Sequence, residues 1–94
     1  MADAQMRDNP GQQRFELVVD GTVAGFAAYE RDGDTVRITH TEIDPAYEGK
    51  GYGARLAGQA LDSLRRDGLS VVPACRFIAA YVQRHPEYQD MVAR

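Results

Sequence analysis

Three glycines fall within six residues in Gly49-Lys50-Gly51-Tyr52-Gly53-Ala54, the stretch of this chain best suited to hold a ligand. Glycine lacks a Cβ, so successive backbone N–H groups can turn toward one point and a ligand can approach the chain closely. An amphipathic helical pattern follows, and the first amides of a helix are unpaired and carry the positive end of its dipole. Loop and helix end together suit a phosphate or pyrophosphate. Cys75 adds a nucleophile. It sits where an apolar strand ends and a second helix begins, and that helix's dipole with adjacent Arg76 favours the thiolate. A free cysteine is equally at home as a small buried apolar residue. His40 and Glu42 share a face near the end of another strand, and either could act as a base, directly or through water. A hydrogen-bonded sheet histidine and a surface carboxylate are the plain alternatives.

Phe15–Val19 and Thr22–Arg31 read as strands joined at Asp20-Gly21, a two-residue hairpin signal. Asp32-Gly33 turns the chain into a third strand, Val36–Ile43. Alternation puts Val36, Ile38 and His40 on one face of it, and Arg37, Thr39 and Thr41 on the other. Pro45 ends that strand. Ala57, Ala60, Leu61 and Leu64 then follow the spacing of a helix from about Gly51 to Asp67, with Gly68 as its C-terminal cap. Leu69–Ala74 is a fourth, interior strand. Phe77, Ile78, Tyr81 and Val82 mark a second helix, stopped by Pro86. The expected fold is α/β with a mixed sheet: an antiparallel β-meander, then a βαβ unit with a right-handed crossover, then a C-terminal helix. Its parallel strands should diverge at their C-terminal ends, where open α/β sheets bind ligands. Residues 1–14 read as a flexible tail, and 15–94 as the folded domain.

Ninety-four residues make one small domain, and 44% hydrophobic with 27% charged residues is ordinary for a soluble protein. No apolar run approaches the roughly 20 residues of a membrane helix. The polar start lacks the apolar core of a signal peptide, so a cytoplasmic protein is expected. A net charge of −3 argues against a nucleic-acid partner and tolerates a basic substrate. The single cysteine allows no internal disulfide, and potential metal ligands do not cluster in the sequence.

Other motifs fit the glycine stretch less well. Gly49-x-Gly51-x-x-Ala54 meets a relaxed dinucleotide fingerprint, but the chain is too short for two mononucleotide-binding halves, and Asp67 precedes the next strand instead of ending it. Lys50 is followed by Gly51, not by the Ser or Thr of a P-loop. A turn that binds nothing stays open. The stretch resembles the pyrophosphate loop of the GNAT acetyltransferase superfamily, Arg/Gln-x-x-Gly-x-Gly/Ala. Gly51 and Gly53 stand at the glycine positions, Glu48 replaces the usual Arg or Gln, and Lys50 keeps a positive charge nearby. His40-Thr41-Glu42-Ile43, the loop, Val71-Val72-Pro73-Ala74-Cys75, Phe77 to Tyr81 and Arg84 to Tyr88 follow in the order seen in small single-domain N-acetyltransferases, the YjdJ-type or NATD-like group. The resemblance runs from about Phe15 to Tyr88.

That resemblance implies acetyl-CoA (coenzyme A) as co-substrate, its pyrophosphate on the backbone amides from Gly49 through Lys50, Gly51, Tyr52 and Gly53 to Ala54. The strand at Glu42 and Ile43 would pair with the pantetheine amides as if with an added strand. It further implies Cys75 as acetyl acceptor and Tyr81 as proton donor to the departing sulfur, although Tyr81 equally suits the core. His85, Pro86 and Tyr88 read as a helix stop that could line the entrance. The superfamily's early helices have no counterpart here. The amine acceptor, a small molecule or a protein lysine, then meets an open site, or one completed by a partner subunit as in a homodimer. Two other classes stay open: a non-catalytic acyl-CoA-binding or sensing module, and an interaction domain with a merely structural glycine loop.

Overall fold

Asp20 and Gly21 take φ of 50° and 80°, the paired positive values of a type I′ turn, whose twist matches that of a hairpin. In the computed structural model, which describes residues 4–93, this turn joins β2 (Arg14–Val19) to β3 (Thr22–Asp32). Asp32 pairs with Thr35, so Gly33-Asp34 is the next two-residue loop, one residue later than expected, and β4 runs Thr35–Ile43. A short 3-10 turn over Pro45–Tyr47 leads to the glycine loop and α1 (Tyr52–Arg66). β5 (Ser70–Pro73), α2 (Arg76–Arg84) and a 3-10 segment over Pro86–Met91 complete the fold. The sheet order is β1-β2-β3-β4-β5, antiparallel except for the parallel pair β4/β5. The expected meander, βαβ unit and terminal helix are all present.

The flexible tail expected over residues 1–14 is a misreading where the structure describes it. Ala4–Asn9 is an edge strand, β1, paired antiparallel along β2 from Ala4 opposite Val19 to Asn9 opposite Arg14; residues 1–3 lie outside the described residues. Long-range side-chain bonds hold β1. The Tyr29 hydroxyl donates to Asp8 at 2.6 Å, and Met6 N donates to Gln59 of α1 at 2.9 Å. Burial, then the bond to Asp8, pushes the Tyr29 hydroxyl up to about 12, so it remains a donor at neutral pH.

One face of the sheet carries the core. Phe15, Leu17, Ala27, Tyr29, Val36, Ile38 and Val71 pack there against Leu56, Ala60, Leu61 and Leu64 of α1 and Ile78 and Val82 of α2. α1 ends as predicted: Gly68 N donates to Arg65 O at 3.0 Å and Leu69 N to Leu64 O at 2.9 Å, a complete Schellman pair. The outer face bears a charged cluster. Glu16 is only 1% exposed, and it accepts from Arg7 Nε and Arg14 Nε, both at 2.7 Å, and from Asn9. The Arg7 bond, opposed by burial and aided by Arg14 and Asn9, holds this carboxyl below its ordinary range.

A depressed carboxyl pKa contributes stability that is full above the unfolded-state value and is lost as pH falls through the native one. Glu16→Gln is expected to cost about 1–3 kcal/mol at neutral pH. In thermal unfolding series from pH 7 downward, the gap between wild type and variant should close as the native carboxyl titrates. A gap independent of pH would contradict the assignment.

Candidate active site

The parallel ladder between β4 and β5 runs only from Thr35 opposite Ser70 to Ile38 opposite Pro73. Ser70 N bonds Asp34 O and Ala93 N bonds Val71 O, so residues 70, 72 and 74 face β4, and Ala74 N is the next donor that could extend the ladder. Ala74 N turns back to Val72 O at 2.9 Å, which leads the chain out of the sheet. β4 continues to Ile43, paired with β3 on its other side only. The two strands therefore open into a V, one wall of which is the free edge of β4 over residues 39–43.

The glycine loop lies on the chain leaving that wall. Gly49 and Gly51 take φ of 78° and 79°, which a Cβ strongly disfavours, and a Cβ built at either position would meet no atom within 4 Å. Gly51 is the N-cap residue of α1. It offers no side-chain cap, and no acidic residue occupies the first turn. The first intrahelical bond runs from Arg55 N to Gly51 O, so the amides of Tyr52, Gly53 and Ala54 have no intrahelical acceptor. The preceding 3-10 turn differs, because Asp44 caps it by accepting from Ala46 N at 2.9 Å. Open space, unpaired amides and a helix dipole converge here, and exposed Lys50 adds charge. Tyr52 packs edge-on against Tyr47, with ring centroids 5.9 Å apart.

Cys75 stands on the opposite side of the opening as N-cap residue of α2. Its thiol donates to the Thr41 hydroxyl at 3.5 Å. Burial alone would push the thiol up. The Thr41 hydroxyl and the backbone amides of Ile78 and Phe77 outweigh burial and hold it below its ordinary value. Arg76, expected to help, is not among the causes. Thr41 is the site residue that sequence reasoning missed, since alternation assigned it to the face away from Ile38.

A β-bulge accounts for that. Ala28 pairs with His40 while neighbouring Tyr29 pairs with Ile38, leaving Thr39 as the extra residue of β4. Alternation restarts beyond it. Thr41 and Ile43 turn toward the helices, and His40 and Glu42 toward the outer face, which corrects the expectation that His40 shares a face with Val36 and Ile38. His40 Nε2 and Glu42 Oε2 lie 3.6 Å apart with both side chains about 60% exposed (62% and 61%). Glu42 borders an open groove of about 300 Å3 with Arg14, Phe26, Gly25, Asp44 and Pro45. The structure thus brings His40 and Glu42 together, and separately Cys75 and Thr41, on opposite sides of the sheet.

Tyr81 belongs to neither pair. A Cβ at Gly58 would lie 2.7 Å from its hydroxyl, so the phenol covers the middle of α1. Along α2 it is six residues from Cys75, about 9 Å of helix rise. Burial, then the charges of Asp62 and Glu87, pushes its hydroxyl up. Glu48, which replaces the resemblance's usual cation, is exposed and extended at the end of the 3-10 turn.

The family described as GCN5-related N-acetyl-transferase matches residues 14–91. The chain belongs to that family. Among relatives, Protein NATD1 of Gallus gallus is 37% identical over 51 residues, 54% of this chain and 46% of that protein. Protein NATD1 of Danio rerio is 28% identical over 85 residues, covering 86% and 77%. The matched stretch thus spans about half the length of the chicken relative. The solution structure of a GCN5-like putative N-acetyltransferase from Staphylococcus aureus superposes with a TM-score of 0.72 at 19% identity, over 99% of this chain and 91% of that one. The GNAT family N-acetyltransferase YhbS from Escherichia coli, in complex with CoA, gives 0.58 at 18% identity over 76% and 62%. At these identities the likeness concerns the fold.

Thr41→Val should raise the pKa of the Cys75 thiol, because burial then acts against fewer hydrogen bonds. The rate of alkylation by iodoacetamide against pH reads this directly, with its midpoint moving upward. An unmoved midpoint would mean that Thr41 does not stabilise the thiolate.

Proposed function

We propose that this chain is an acetyl-CoA-dependent N-acetyltransferase that transfers an acetyl group to the amine of a small molecule or a protein lysine. The observation that carries this reading is the convergence of unpaired amides at the start of α1, a free β4 edge and the Cys75 thiol, bonded to Thr41, around one opening of the sheet. The residues fit a coenzyme A pyrophosphate, because Gly49 and Gly51 leave open space where side chains would stand. Backbone groups at Glu42 and Ile43 offer a strand edge to the pantetheine amides. Family membership and the CoA-bound YhbS structure support the same co-substrate.

Acetyl-CoA supplies an activated acetyl group as a thioester. In the proposed reaction the Cys75 thiolate attacks the acetyl carbonyl, the carbon–sulfur bond to CoA breaks, and the CoA thiolate takes up the proton that Cys75 released. The amine reaches the acetyl carbon past the free edge of β4, attacks it, and loses its proton through water to Glu42 or His40 on the sheet's other side. An amide forms and Cys75 leaves as thiolate. Tyr81, whose phenol covers Gly58, has no part in this scheme.

Incubation with acetyl-CoA and no amine is expected to add one acetyl group to wild type and none to Cys75→Ala, by intact mass. If Cys75→Ala retains most turnover while Glu42→Gln loses it, the amine attacks the thioester directly instead. Gly51→Asp should weaken CoA binding about tenfold or more by bringing an anion and a disfavoured φ to the phosphate site. Unchanged affinity in a folded variant would refute the pyrophosphate assignment. The exposure of both His40 and Glu42 favours one second reading, a non-catalytic acyl-CoA-binding module. CoA binding without thiol release across an amine panel would select it.

A further inference from the structure

Eleven residues of the chain are Lys or Arg, and Lys50 is the one lysine. The difference matters to an acetyl donor. A guanidinium stays protonated and is no nucleophile, whereas a lysine amine that sheds its proton accepts an acyl group. Lys50 is therefore the one side chain that this chain offers as an amine acceptor, and it sits inside the glycine loop.

The local backbone presents it well. Glu48, Gly49, Lys50 and Gly51 are all exposed. Gly49 and Gly51, on either side, take φ of 78° and 79°, and a Cβ built at either would meet no atom within 4 Å. Lys50 makes no ion pair among the described residues. A lysine between two residues without side chains can enter an open site that bulky neighbours would bar. From Tyr47 to Ala54 no other side chain is cationic, so Lys50 carries the whole positive charge of the loop.

We propose that Lys50 is an acceptor of the chain's own acetyl transfer, modified by a second copy, and that the acetylated loop holds coenzyme A less tightly. The proposal rests on the acetyl-CoA reading above and names one protein lysine as acceptor. Transfer within one copy is barred by the coenzyme itself, whose pantetheine arm separates the pyrophosphate beside Lys50 from the thioester. A second copy has no such limit. Beside its free β4 edge stand exposed Glu42 and Asp44, carboxylates that draw a cation to the opening. There the neutral Nζ bonds to the acetyl carbon, the carbon–sulfur bond breaks, and the sulfur leaves as thiolate while Nζ gives one proton to water. The new amide is uncharged, so the pyrophosphate loses the one cation of its loop. Acetyl-CoA in excess over other amines would thereby slow its own use.

In the test, wild type is incubated with acetyl-CoA and no other amine, then digested and mapped by mass. Hydroxylamine clears a thioester on Cys75 and spares an amide, so a slower second acetyl group on Lys50 is read separately. Its rate per chain should rise in proportion to protein concentration at fixed acetyl-CoA. A rate independent of protein concentration, or no acetyl group on Lys50, overturns the proposal. Calorimetry with CoA then compares hydroxylamine-treated chains with and without the Lys50 acetyl group. About threefold weaker binding is expected after acetylation, the scale of one exposed charge. Lys50→Arg keeps the charge and takes no acetyl group, so it should bind equally before and after incubation. Equal affinity of acetylated and unmodified wild type overturns the proposal and leaves the acetyl-CoA reading standing. Unmodified wild type that binds no CoA overturns both.

Discussion

The turn of Ala74 N back to Val72 O is the interaction on which the site depends. A parallel ladder needs an N–H from every second residue, and the next one facing β4, that of Ala74, bonds back to Val72 O, so pairing with β4 stops at Ile38. Everything beyond follows from that stop. β4 keeps a free edge to Ile43, the chain after Pro73 turns out of the sheet, and two residues later Cys75 begins α2 against Thr41. An Ala74 N–H bonded to β4 instead would extend the ladder and close the place where a thioester could lie.

The other side of the opening is built by what the chain withholds. Asp44 caps its own 3-10 turn, whereas α1 starts on Gly51 with neither a side-chain cap nor a first-turn carboxylate. An uncapped helix start costs stability, typically about 1 kcal/mol against a capped one. The body of the helix offsets it. Leu56, Ala57, Ala60, Leu61 and Leu64 are buried, the Schellman pair closes the far end, and Arg65 bonds Asp90 and the Glu87 carbonyl. The loop can then keep its amides for a ligand without loss of the fold. The outer face works by different means. With no helix over it, Glu16 is shielded by Arg7, Arg14 and Asn9, and Arg14 in turn lies 4.8 Å from the Phe26 ring centroid beside the open groove.

What the sequence makes legible is what local rules control. The Asp20-Gly21 hairpin, the helix from the glycine loop to Gly68, the divergent parallel pair and the position of Cys75 all follow from turn chemistry, periodicity and caps. Features set by a distant partner were not legible. β1 reads as polar tail because its support comes from Tyr29, Glu16 and Gln59, far away in sequence. The bulge at Thr39 depends on how β3 pairs with β4, and no pattern within β4 announces it. One extra residue moves His40 to the outer face and brings Thr41 to the thiol. Phe77 fits the apolar period of α2, but the close approach of α1 at Gly53 leaves its ring partly in solvent.

The central claim is that the coenzyme lies in the opening below Pro73, between the free edge of β4 and the start of α1. Backbone amide NMR shifts during titration with CoA test this most directly. The account predicts that the largest shifts fall on residues 41–43, Gly49 to Ala54, and Cys75 to Ile78, and that the amides of β1 and β2 stay in place. Shifts concentrated on β1 and β2, or no shifts at saturating CoA, would contradict it.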